Sequence, residues 1–97
     1  MADLTALQRD VLFAVAGRDS PNGQEVRREL VETQGRDVLS GHIYIDLGTL
    51  VDAGLVEKGA RDGRSNEYAL TTDGEAWVAD RLAWERAYVA VDEVVEP

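Results

Sequence analysis

The chain of 97 residues contains no cysteine, one lysine, one histidine, one phenylalanine, one methionine and two prolines. Without cysteine there is no disulfide, no thiolate nucleophile and no cysteine-based zinc site. A lone histidine, His42, excludes a multi-histidine metal centre. No apolar run approaches the ~20 residues that a membrane span needs. The start, Met1-Ala2-Asp3, lacks the basic and apolar regions of a secretion signal. These absences lead to the expectation of a cytoplasmic protein with no membrane partner. No serine sits in a nucleophile elbow and no glycine-rich loop has phosphate-cradling spacing, so nothing points to catalysis or to a bound cofactor.

Positive charge is also scarce. Nineteen acids face ten bases, nine of them arginine, for a net charge of −9. The excess is uneven: residues 67–97 hold eight acids and two bases, while residues 23–66 hold eight and six. An acidic, lysine-poor surface is the composition of proteins adapted to molar salt, where the Debye length falls to about 3 Å and distant charges stop mattering. The plainer alternative is an acidic protein with arginine-biased codons.

The pattern along the chain is one of helices closed by a short hairpin. Leu4, Leu7, Val11, Leu12 and Val15 are spaced as one face of a helix over Leu4 to Ala16. Asn22 with Glu25 three residues on resembles a capping box, opening a second helix from Gly23 to about Thr33 with Val26, Leu30 and Val31 inward. A third helix runs from a capping Ser40 to Ala53, with Ile43, Leu47, Leu50 and Val51 inward and Gly54 as its left-handed terminator. The spacing then predicts strands over Val56–Arg61 and Arg64–Leu70 joined by a two-residue Asp62-Gly63 turn. A last helix starts near Thr72 and is expected to reach about Val94. Trp77, Trp84, Tyr88, Val91 and Val95 form one apolar stripe on it, and Val78, Leu82 and Val89 a second. One stripe can cover the domain's own core; the other needs a partner, taken to be the same helix of a second copy.

Three helices followed by a hairpin with arginines at its tip define the expected fold. It is mainly α with a small β-hairpin, a winged helix-turn-helix over 1–71 carrying a long C-terminal dimerisation helix over 72–97. The chemistry expected of it is binding to double-stranded DNA. The third helix would enter the major groove through Ser40, Gly41, His42, Tyr44, Ile45, Gly48 and Thr49. Arg27 and Arg36 would hold the backbone, and Arg61 and Arg64 would sit on backbone or minor groove. Trp77, Trp84, Tyr88 and Val91 would form the dimer contact. A small-molecule effector between subunits is conceivable, but no residue pattern supports it. A reading of another class keeps the fold without DNA, as a protein-interaction module pairing through its aromatic last helix.

Ser40–Gly59, SGHIYIDLGTLVDAGLVEKG, resembles the PadR-type regulators in Tyr44, Leu47, Leu50, Gly54, Leu55 and Val56. Tyr68-Ala69-Leu70-Thr71 with Gly74 is similar to the Tyr-x-Leu-Thr-x-x-Gly ending of that family's wing, and Asn22 to Val26 to its second helix start. The likeness covers roughly residues 4 to 75. It implies a homodimeric transcriptional regulator, often a repressor, with the last helix dimerising. The chain departs from the pattern at Ile45, where the family has proline, and at Gly48 and Thr49, where it has basic residues.

Overall fold

A computed structural model describes residues 3–35, 37–63 and 65–89. Helices α1 (Ala6–Gly17), α2 (Gly23–Gln34) and α3 (Ser40–Asp52) precede an antiparallel hairpin of β1 (Val56–Ala60) and β2 (Asn66–Leu70), and α4 (Thr72–Tyr88) follows. This is the winged-helix arrangement. None of the described helices is long and apolar enough to cross a membrane.

Local chemistry starts and stops each helix. Thr5 and Gln8 form a reciprocal capping box for α1, so that helix begins at Ala6 and not at Leu4. Asn22 and Glu25 do the same for α2, with donor–acceptor distances of 2.8 Å in both directions. Two orphan amides are satisfied in each case. Gly35 ends α2 at φ 65° and Gly54 follows α3 at φ 78°, a left-handed backbone that costs glycine least. One expectation is corrected here. Ser40 does not cap α3: the cap position falls on Leu39, which makes no side-chain bond to the helix.

The core is shared among all six elements. Val11, Leu12, Val26, Ile43, Leu47 and Leu50 are completely shielded from solvent. Val56 and Tyr68 close it from the hairpin and Trp77 from α4. Val31 and Val51, expected inside, are only half-buried. The hairpin pairs Val56 with Leu70, Lys58 with Tyr68 and Ala60 with Asn66. The segment before α2 lies along the other edge of β2, where the Tyr68 amide donates to the Pro21 carbonyl at 2.9 Å.

The hairpin tip differs from the expected two-residue turn. The ladder stops at Ala60 and Asn66. Neither Asp62 nor Gly63 has the positive φ that such a turn requires. Asp62 accepts instead from the Ser65 amide at 2.9 Å and from its hydroxyl at 3.3 Å. Backbone bonds from the Arg61 and Asp62 amides to the Ser65 carbonyl, at 3.0 and 3.4 Å, close the same longer turn.

Helix α4 carries a third correction. Trp77, expected with Trp84 and Tyr88 in the dimer contact, is 6% exposed and belongs to the domain's own core. Val78 packs beside it. Further along, Trp84, Tyr88, Leu82 and Val89 are exposed. The helix ends at Tyr88, with Val89 in an extended conformation, short of the end near Val94 that the spacing predicts; Val91 and Val95 lie outside the described residues, as do Arg36 and Arg64.

Candidate nucleic-acid interface

Helix α3 turns Ile43, Leu47 and Leu50 into the core, which leaves Gly41, His42, Tyr44, Ile45, Gly48 and Thr49 exposed on its other side. Ile45 is the more open of the two large hydrophobic residues there, at 65% exposure against 46% for Tyr44. No lysine, arginine, asparagine or glutamine lies between Ser40 and Asp52. The Thr49 hydroxyl donates to the Ile45 carbonyl at 3.1 Å.

Two flanks border this face. On one side stands the start of α2. A methyl built on Gly23 would collide with the Tyr44 ring, so glycine there is what lets Tyr44 lie against α2. Gln24 reaches both Ser40 Oγ and Tyr44 Oη with its amide nitrogen at 3.5 Å. On the other side is the wing. Between them opens a cleft of about 400 Å³ lined by Asn22, Gly23, Gln24, Tyr44, Ser65, Asn66 and Tyr68. Burial, reinforced by the neighbouring Tyr44, raises the Tyr68 pKa, so its phenol stays protonated.

Of the arginines expected at the DNA, Arg61 has a different geometry from the free wing-tip cation that the sequence suggested. Its Nη2 donates to the Ser20 carbonyl at 2.7 Å and to Glu25 Oε1 at 2.9 Å, and Glu67 lies 3.9 Å from Nε. Arg61 thereby ties the wing to the first turn of α2. Ser20 supports the tie with an uncommon positive φ of 47°. The Asn22 amide, and then Arg61, hold the Glu25 carboxyl below its ordinary value of 4.5, against a smaller opposing effect of desolvation. Arg27 is likewise engaged, donating from Nε to the Val38 carbonyl at 2.5 Å, with Asp37 3.7 Å from Nη2. It fixes the linker between α2 and α3. The structure thus brings Ser40, Gly41, His42, Tyr44, Ile45, Gly48 and Thr49 onto one helix, with Arg27 and Arg61 bracing its neighbours.

Sequence reasoning did not single out Gln24, Ser65 and Asn66 as part of this face. Gln24 follows the capping Asn22 by two positions, which puts it at the exposed start of a helix; nothing in the hairpin spacing marked the other two. Further along α4, Trp84 and Tyr88 meet as a tilted pair, with ring centroids 5.1 Å apart and planes inclined by 57°, and the Arg81 guanidinium lies 4.6 Å from the Trp84 centroid.

The fold and this exposed third helix define a winged-helix regulator. Neither a protein-family model nor a curated protein matches the chain. Solved structures do. RosR of H. salinarum in its S1 complex is 42% identical with a TM-score of 0.83, over 88% of this chain and 75% of that one. Its structure from NaBr-grown crystals is 39% identical with a TM-score of 0.82, over 98% of this chain and 82% of the other. F93 from STIV, a winged-helix DNA-binding protein, is 17% identical with a TM-score of 0.69, over 87% and 92%, and shares the fold alone. The chain belongs to the RosR family of winged-helix transcriptional regulators, which are DNA-binding proteins and not enzymes.

Proposed function

We propose that this chain acts in the cytoplasm as a homodimeric repressor, with α3 in the major groove of double-stranded DNA and the wing beside the backbone or minor groove. The carrying observation is the exposed ridge of α3, His42, Ile45, Gly48 and Thr49, beside the cleft that the α2 start and the hairpin form with Tyr44. Ser40, Gly41 and Tyr44 complete the ridge. Arg64 and Arg36 enter as backbone contacts on sequence grounds alone. Arg61 enters as the wing's anchor, because its donors already serve Ser20 and Glu25. The PadR-like affinity belongs to the same reading, carried by Tyr44, Gly54-Leu55-Val56 and Tyr68 to Gly74.

Dimerisation is assigned to the distal part of α4. Leu82, Trp84, Tyr88 and Val89 line an open groove whose apolar wall nothing in the single chain covers among the described residues. Val91 extends it on sequence grounds. A dimer presents two α3 helices to half-sites about one helical turn apart. The acidic composition is read as salt adaptation.

The test is fluorescence anisotropy against the chain's own upstream DNA, at low and at molar KCl, with Thr49→Glu alongside. Saturable binding at both salts that the new carboxylate abolishes supports the reading. A transcription assay on the same segment gives the direction. The absence of cations from α3 favours one rival, an interaction module that binds no DNA. That rival requires no binding at either salt, together with a protein partner recovered through α4.

A further inference from the structure

We propose that this chain reads its operator through the C5-methyl groups of thymines, with Ile45 as the specificity-determining side chain; the inference rests on the DNA-binding reading above. In the major groove guanine is identified by bidentate donors from arginine or lysine, and adenine by asparagine or glutamine. None of these four residue types occurs between Ser40 and Asp52. Two direct signals remain: the cytosine N4 donor, which an acid or hydroxyl can take, and thymine, which shows an apolar methyl beside its O4 acceptor.

The α3 surface is shaped for that contact. Ile45 stands 65% exposed at its middle. Gly41 lies one turn before it and Gly48 one turn after, on the same helix face. Neither glycine has anything within 4 Å of where a Cβ would be. The backbone on both sides of Ile45 is therefore bare, and the helix can sink until a short aliphatic side chain reaches the groove floor. Thr49 is the next residue along that face. Its hydroxyl proton is used on the Ile45 carbonyl at 3.1 Å, so its γ-methyl extends the apolar strip.

The competing readers on α3 are weaker or turned elsewhere. Tyr44 lies against Gly23, with its hydroxyl near Gln24. Asp46 is half-buried and takes its contact from Gln8 at 3.5 Å. His42 is exposed and can give one hydrogen bond to a purine, which fixes register but distinguishes bases less well than a bidentate pair.

The experiment uses the upstream DNA segment that binds in the anisotropy assay above and replaces each thymine in turn with deoxyuridine, which deletes the methyl and keeps every hydrogen-bonding group. Affinity is read by anisotropy for the wild-type chain and for Ile45→Ala. Ile45 is outside the core, and melting temperature checks that the variant folds. At the contacted thymines deoxyuridine should weaken wild-type binding about fourfold per methyl, the worth of one buried carbon. At the same positions Ile45→Ala should respond to deoxyuridine by less than about twofold, since the methyl's partner is already gone. DNA binding that ignores deoxyuridine at every thymine overturns this inference and leaves the regulator standing. So does Ile45→Ala retaining the full wild-type response. No DNA binding at any salt overturns the regulator reading, and this inference with it.

Discussion

Gly74 sits in the first turn of α4, where that helix crosses the start of β1, and replacing it with alanine should unseat the helix. A methyl built there overlaps the Leu55 carbonyl oxygen and lies 3.0 Å from the carbonyl carbon and 3.5 Å from Cα. All three atoms are backbone, so no rotamer change relieves the overlap. The site is pinned from both sides. The Thr71 hydroxyl donates to the Gly54 carbonyl at 2.6 Å and accepts from the Gly74 amide at 3.0 Å. The Thr71 amide donates to the same Leu55 carbonyl at 3.1 Å. Restoring van der Waals spacing moves α4 off β1 by on the order of 1 Å, which strains these bonds and loosens Trp77 in the core. Alanine's better helix propensity returns at most about 1 kcal/mol. Overpacking costs about 1–3 kcal/mol, and an immovable neighbour puts this site at the upper end. The expected net loss is about 2 kcal/mol, or about 8–16 °C in melting temperature for a domain of this size. The control is Gly48→Ala, where a Cβ meets nothing within 4 Å. There propensity acts alone and should stabilise by about 1 kcal/mol. Thermal unfolding by circular dichroism distinguishes the two, and a Gly74→Ala chain that melts at or above the wild-type temperature refutes the reasoning.

Gly23→Ala should behave differently, because the atoms in the way belong to the Tyr44 ring, with Cζ 2.6 Å and Oη 2.7 Å from the new methyl. The ring can turn away, so melting should shift by less than about 1 kcal/mol while DNA affinity changes; a loss equal to that of Gly74→Ala would show that Tyr44 cannot move. Glu25 has a depressed pKa, so its contribution to stability is present above the ordinary value of 4.5 and is lost as pH falls through the lower folded value. In Arg61→Ala its carboxyl, followed by carbon NMR, should titrate higher than in wild type but still below 4.5, since the Asn22 amide still donates; an unchanged midpoint would rule out the Arg61 tie. Trp77→Ala should cost about 3–5 kcal/mol as a core truncation. Trp84→Ala, 47% exposed, should leave the monomer fold intact and lower the dimer fraction in sedimentation, and a mass distribution identical to wild type at every concentration would refute the dimer face.

What could be read from the sequence was the part governed by neighbours along the chain. Asn22 and Glu25 announced α2, Gly54 announced the end of α3, and the inward stripe Ile43, Leu47 and Leu50 fixed which side of α3 faces out. The misreadings came from contacts distant in sequence. Asp62-Gly63 looks like a two-residue turn, but Ser65 offers both its amide and its hydroxyl to the Asp62 carboxylate, and the longer loop wins. Arg61 looks free until the fold brings Ser20 and Glu25 to it from 41 and 36 residues away. Trp77 and Trp84 lie two turns apart on one stripe, and periodicity cannot tell that the first is in the core and the second exposed. The Leu-Thr-x-x-Gly run, noticed as a motif, has a physical basis: threonine caps the helix and glycine admits the Leu55 carbonyl.

An α3 face without a single cation alters how such a protein finds its site. Each phosphate neutralised by a lysine or arginine expels condensed counterions, and that release gives most proteins their hold on arbitrary sequence and their steep salt dependence. Beyond the backbone contacts proposed for Arg36 and Arg64, a surface relying on methyl contact and groove shape expels few. Its affinity should fall gently with rising salt, and it should spend little time sliding on unrelated DNA. Selectivity then comes from the weakness of the wrong complexes as much as from the strength of the right one, and the search proceeds through solution from one collision to the next.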